Sequence, residues 1–244
     1  MTLQGKVALV TGGAKRVGRA IALALAGRGA HVAFSYRTSV AEAKATLRDI
    51  EQLGVRAVAI RADVSRSADV KRLIAQTVKQ LGGLDVLVNS AAVFFKTPWK
   101  TLTERDWDRT LEANLKGPFL CSLVAGRVMQ RRGGGKIINI ADWAGIRPYN
   151  DYLPYCVSKA GVIALTKALA KTLAPRIQMV AIGPGPVALP EDFTVAERAR
   201  LIKRVPLQRL GSPKDIAATV VFLVEGTDFM TGSMVLVDGG QLIA

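Results

Sequence analysis

A chain of 244 residues, half of them hydrophobic, is long enough for one α/β domain with a large core, and it holds no apolar run long enough to span a bilayer. A formal charge of +15 raises the question of a nucleic-acid partner, but the basic residues are dispersed (Arg56, Arg61, Arg66, Lys71 and Arg72 in one stretch, Arg127, Arg131, Arg132 and Lys136 in another) and form no recognition motif, so no such partner is expected. Two cysteines, Cys121 and Cys156, in no ligand-like spacing exclude a disulfide framework and a zinc site; no metal is expected, and without an apolar leader after Met1 the chain reads as cytoplasmic.

The first apolar run, residues 6–11, is short and followed by Gly12-Gly13, which predicts a buried strand and a tight turn. A helix over 16–28 follows, with Val17, Ile21 and Leu25 on one face. Glycines between a strand and a helix let backbone N–H groups approach a pyrophosphate at the positive helix end. Gly12 and Gly18, with Lys15, Arg16 and Val17 between them, are therefore candidate cofactor contacts. The second strand, 30–36, ends in Tyr36-Arg37-Thr38-Ser39 with no carboxylate to repel a 2′-phosphate. A guanidinium and two hydroxyls there predict NADPH/NADP+ as cofactor, in preference to NADH.

A helix over 40–53 stops at Gly54, and a third strand covers 56–60. Asp63, just beyond, either accepts from an adenine amino group or caps a turn. After a helix over 68–81, the fourth strand, 84–89, ends in Asn89-Ser90-Ala91, small residues against which a cofactor can lie. A helix opening at Thr103, with Asp106 completing a variant capping box, continues to about residue 132, where Gly133-Gly134-Gly135 stops it. A strand over 136–140, a helix over 152–173, a strand over 177–182, a helix over 213–224 and a strand over 234–237 complete the alternation. The stretch 183–211 carries Pro184, Pro186, Pro190 and Pro206 with a helical segment near 195–204, and reads as a substrate-loop insertion in a single domain, 1–244. Near-continuous apolar strands alternating with helices predict a parallel sheet covered on both faces by right-handed crossovers.

Tyr155 and Lys159, four apart in a predicted helix, share one face. An ammonium beside a phenol is expected to lower the phenol pKa and make Tyr155 a proton donor for hydride addition. His31 reads as structural, Cys156 as without catalytic role, and Trp143, Tyr149 and Tyr152 as residues that either line a pocket or cover it.

These segments together, namely TGGAKRVG, ADVS, Asn89-Ser90-Ala91-Ala92, Asn114-Leu115 in NLKGPF, IINIAD, YCVSK, Pro184-Gly185, and Met230-Thr231-Gly232 leading into Val237-Asp238-Gly239-Gly240, resemble the short-chain dehydrogenase/reductase family over nearly the whole chain. The resemblance implies a Rossmann-like doubly wound sheet of seven strands in order 3-2-1-4-5-6-7, a small-molecule substrate and a homotetramer built on helices 106–132 and 152–173 and the last strand. It implies Asn114 as the structural-water and proton-relay residue, Tyr155 as the acid and Lys159 on the ribose hydroxyls, and it extends the cofactor contacts to Val64, Pro184, Gly185 and Val187.

The departures carry information too. Asp142 stands where the family has Ser, Arg16 replaces the second loop glycine, and Val180 replaces an Asn. Arg16, Asp142, Phe94 and Tyr36-Arg37-Thr38-Ser39 resemble the pteridine reductase branch, in which the residue at Phe94 stacks a pterin against the nicotinamide. An ionised Asp repels the oxyanion of a ketone under reduction, whereas C=N reduction gains from a proton held near the ring nitrogen. The expected activity is thus NADPH-dependent hydride transfer to a C=N bond of a pterin- or folate-like substrate touching Arg16, Phe94, Asp142 and Tyr155. The alternatives are a carbonyl reductase of the 3-oxoacyl thioester type and a non-catalytic nucleotide- or nucleic-acid-binding protein.

Overall fold

The computed structural model describes residues 1–187, 189 and 193–244. Seven strands, β1 (Val7–Val10), β2 (His31–Tyr36), β3 (Ala57–Arg61), β4 (Val86–Asn89), β5 (Gly135–Ile140), β6 (Ile177–Pro184) and β7 (Met234–Val237), form one sheet in order β3-β2-β1-β4-β5-β6-β7. Every pairing is parallel. The helices are α1 (Arg16–Ala26), α2 (Val40–Glu51), α3 (Ser67–Leu81), α4 (Glu104–Leu111), α5 (Gly117–Arg131), α6 (Leu153–Leu173), α7 (Val195–Lys203) and α8 (Pro213–Glu225).

Side chains alternate across the strands, so one sheet yields two cores. Ala8, Val10, Val32 and Phe34 pack with Ile21 and Leu25 of α1 and Ile216, Val220 and Leu223 of α8 on one face. Leu9, Ala33, Leu87 and Ile137 pack with Leu73 of α3 and Cys121, Ala125 and Met129 of α5 on the other. The strand order and the two-sided covering match the expectation from the sequence.

The helix expected to continue from 103 to about 132 is interrupted. A π turn, Glu112–Lys116, separates α4 from α5. Pro118 explains the break: it has no N–H to return to the Asn114 carbonyl four residues earlier, so the α-helical ladder fails there. The Thr103–Asp106 capping box forms as expected, and further boxes form at Thr194–Glu197 and Ser212–Asp215.

Two polar residues tie elements together. Buried Lys136 on β5 donates to the carbonyls of Leu223 (3.1 Å), Val224 (2.9 Å) and Thr227 (2.6 Å) and pairs with Asp228 at 2.7 Å, placing a cation at the negative end of α8. His31 accepts from the Arg56 N–H at 3.2 Å, a structural role as expected. Among the described residues no helix is long and apolar enough to cross a membrane.

Candidate active site

The loops that leave the carboxyl ends of β1 to β6 converge on a cleft of about 480 Å³. Parallel strands put these loops along one edge of the sheet, where the strand order reverses around β1 and β4. At one end the wall is backbone. Gly12 has φ +66, and a Cβ on it would lie 2.9 Å from Ala91 Cα. A Cβ on Gly18 would lie 2.2 Å from the Gly12 carbonyl oxygen. The Gly12 N–H donates to Ser35 Oγ at 3.2 Å, and Thr11 Oγ1 accepts from Ser90 N (3.0 Å) and Ala91 N (3.1 Å). The turn is thus bonded to the ends of β2 and β4.

Arg16 adopts the left-handed backbone that favours glycine, with φ +53. A non-glycine residue there costs about 1 kcal/mol, and in return the cleft wall gains a guanidinium. Lys15, Val17, Tyr36, Arg37, Thr38, Ser39, Asp63, Val64, Ser90 and Ala91 line the same cleft, as do Pro184, Gly185 and Val187. Arg37, about half exposed, sits 3.8 Å from Asp63. Asp63 also accepts from Ser65 N (3.0 Å) and Oγ (2.7 Å), so it caps a turn while facing the cleft. A strand–glycine–helix turn that admits no further Cβ, with Arg37 at the end of β2, fits a nicotinamide dinucleotide. The part of the expected substrate loop at residues 188 and 190–192 lies outside the described residues.

Two of the expected site residues turn their side chains into the protein. The Asn89 side chain turns beneath the strand ends, donating to Asn139 Oδ1 (2.8 Å) and Ser122 Oγ (3.1 Å). The period of two along β4 aims it inward rather than at a ligand. Asn114 is buried as well. Its Oδ1 accepts from Val93 N (2.8 Å), and its Nδ2 donates to Val93 O (2.9 Å) and Ser158 Oγ (3.3 Å). Its side chain holds the loop after β4 against α6.

The other end of the cleft is built from side chains. Pro154 in the first turn of α6 suits a position whose N–H has no helical acceptor, and α6 then presents Tyr155 and Lys159 on one face. The Tyr155 hydroxyl donates to Asp142 Oδ2 at 2.7 Å, and the Tyr149 hydroxyl donates to Asp142 Oδ1 at 3.1 Å. The Ala144 N–H also donates to Oδ1, at 2.8 Å. Lys159 Nζ donates to the Ile140 carbonyl at 2.8 Å and lies 5.5 Å from the Tyr155 ring centre. Phe94 reaches the cleft, but Tyr152 stacks on it at 4.4 Å and Tyr155 meets it edge-on at 4.7 Å.

Burial raises the Asp142 pKa, against the lowering effect of its hydrogen bonds and of Lys159. Burial pushes Lys159 down to about 8, with Asp142 opposing. Tyr155 is pushed well above its ordinary value, by burial first and then by the Asp142 carboxylate. This corrects the expectation that Lys159 lowers it: the nearest charge to the phenol is an anion, which holds the proton on Tyr155. Tyr149, one of three aromatic residues left open between lining and covering, turns out to line the cleft and share Asp142. No periodicity marks it, because it sits in an irregular loop.

The chain resembles known proteins along its length. The family described as Enoyl-(Acyl carrier protein) reductase matches residues 12–241. The 3-oxoacyl-(acyl-carrier-protein) reductase FabG of Staphylococcus epidermidis is 37% identical over 244 residues, covering 97% of this chain and 98% of that one. Among solved structures, a dehydrogenase/reductase from Sinorhizobium meliloti 1021 superposes with a TM-score of 0.91 at 37% identity, covering 98% and 97% of the two chains. A blue fluorescent protein from a metagenomic library, in complex with NADPH, superposes with a TM-score of 0.90 at 35% identity and 99% coverage of both. The names of these relatives support the carbonyl-reductase alternative better than the pterin one.

Proposed function

This chain belongs to the short-chain dehydrogenase/reductase family, and on that premise we propose that it is an NADPH-dependent reductase that delivers hydride to a C=N bond of a pterin- or folate-like ring. One observation carries the choice of substrate: Asp142 accepts the hydroxyl of Tyr155 at 2.7 Å, where the family places a serine. At the identity of these relatives, fold and cofactor chemistry are shared, but the residues at the reacting atoms decide the substrate. When bound, NADPH supplies the hydride.

The chain's own groups manage the proton. Tyr155, kept protonated by burial and by Asp142, donates to the ring nitrogen. Asp142, ionised while it accepts from Tyr155, takes up a solvent proton as the phenolate forms and returns it to Tyr155, an uptake that its burial-raised pKa favours. The same carboxylate disfavours an oxyanion beside Tyr155, which works against ketone reduction. We assign Lys159, held on the Ile140 carbonyl, to the ribose hydroxyls, and Lys15, Arg16 and Arg37, which line the cleft, to the phosphates. The loop about 183–211 takes the role of substrate loop, since Pro184, Gly185, Pro186, Val187 and Leu189 line the cleft. A homotetramer is supported by Phe119, Leu153 and Val157 exposed on α5 and α6, and by Phe222 and Leu236 exposed on α8 and β7.

A second reading, reduction of a 3-oxoacyl thioester, is favoured by the name of the staphylococcal relative. Following NADPH oxidation with a dihydropterin, a quinonoid pterin and an acetoacetyl thioester separates the two. Turnover of a pterin is the expected result; turnover of the thioester alone would establish the second reading.

A further inference from the structure

We propose that Tyr149 is a positioning residue of this reaction: its hydroxyl holds Asp142 Oδ1 so that Oδ2 is left to face Tyr155. The proposal rests on the reading that Asp142 takes part in proton delivery.

A carboxylate turns about a broad, two-fold torsion, so its oxygens exchange places unless something distinguishes them. Here Oδ1 accepts from the Ala144 N–H at 2.8 Å and from the Tyr149 hydroxyl at 3.1 Å. Only Oδ2 remains for Tyr155, at 2.7 Å. Tyr149 is itself held. Its N–H donates to Cys156 Sγ at 3.3 Å, and its ring meets Trp143 edge-on at 5.3 Å and Tyr152 at 6.1 Å. A loop residue fixed on three sides, with its hydroxyl on the reacting carboxylate and its ring on the cleft wall, does more than fill space. Burial also raises its pKa, so it stays protonated and remains a donor.

The groups facing Asp142 are Tyr149 and the Ala144 N–H from its own loop, and Tyr155, Lys159 and Cys156 from α6. Of the side chains, Tyr155, Lys159 and Tyr149 stabilise the ionised carboxylate. A donor to a carboxylate lowers its pKa, so removing the Tyr149 hydroxyl moves the Asp142 pKa upward and keeps the carboxyl protonated to higher pH.

Tyr149→Phe keeps the ring and removes only the O–H. Difference-infrared titration of the purified enzyme follows the carboxyl stretch assigned to Asp142, identified as the band missing in Asp142→Asn. The midpoint of that band is expected to rise by about one pH unit in Tyr149→Phe, the size of one charged hydrogen bond. The alkaline fall of dihydropterin kcat should move in the same direction while the KM for NADPH holds. A band that titrates at the same pH in the variant as in the unaltered enzyme overturns the role of Tyr149. Full dihydropterin turnover by Asp142→Asn overturns it together with the reading it rests on, so the two failures are told apart.

Discussion

The two ends of the cleft are made of different material. The end at β1 to β3 is a backbone cradle: glycines closed to any Cβ, N–H groups at a helix start, and a turn bonded to its neighbours. The end at β5 and α6 is a side-chain network in which two phenols and a backbone N–H share one carboxylate. The first needs shape and is indifferent to most side-chain chemistry; the second needs particular hydroxyls and tolerates a change that keeps their shape. Binding and chemistry therefore fail to different kinds of substitution.

Tyr155→Phe preserves shape and removes the acid, so kcat is expected to fall by about 10³-fold in steady-state assays while NADPH affinity holds. Retained turnover would mean that the side-chain end does not carry the proton. Gly18→Ala is the reverse test, since it removes no polar group and adds one methyl against the Gly12 carbonyl. NADPH affinity, read by quenching of protein fluorescence, is expected to fall by about 100-fold, consistent with overpacking costs near 3 kcal/mol. Unchanged affinity would show that the cradle is not where the cofactor lies.

Arg37→Ala sharpens the picture of the cradle. NADPH should weaken by about tenfold or more with NADH little changed, the size of one charge-assisted contact to a phosphate. Equal losses for both cofactors would place the 2′-phosphate elsewhere. Because Arg37 is about half exposed and only loosely paired to Asp63, this is the smallest of the three effects.

The backbone end was the more legible in the sequence. Glycines at 12 and 18 between an apolar run and a helical period leave few alternatives, and the missing carboxylate after β2 is visible directly. The direction of the Asn89 side chain was not legible, because the end of a strand reads the same whether its last side chain points at the cleft or beneath it. The break after Asn114 was readable from Pro118, four residues on. At the side-chain end the Tyr155–Lys159 spacing and Asp142 were legible, while their electrostatics were not. Whether Lys159 or Asp142 sits nearer the phenol depends on the loop Trp143–Gly145 and the residues after it, which carry no period. Tyr149 belongs to that same loop, and only folding brings it to the carboxylate.

The central claim is that Asp142, bonded to Tyr155, sets the substrate. Its most direct test is the ratio of kcat/KM for a dihydropterin to that for an acetoacetyl thioester, measured with NADPH in the unaltered enzyme and in Asp142→Ser. A fall in that ratio by about tenfold or more in the serine variant is predicted, as a donor to a developing oxyanion replaces an acceptor. A ratio that does not move would contradict the account.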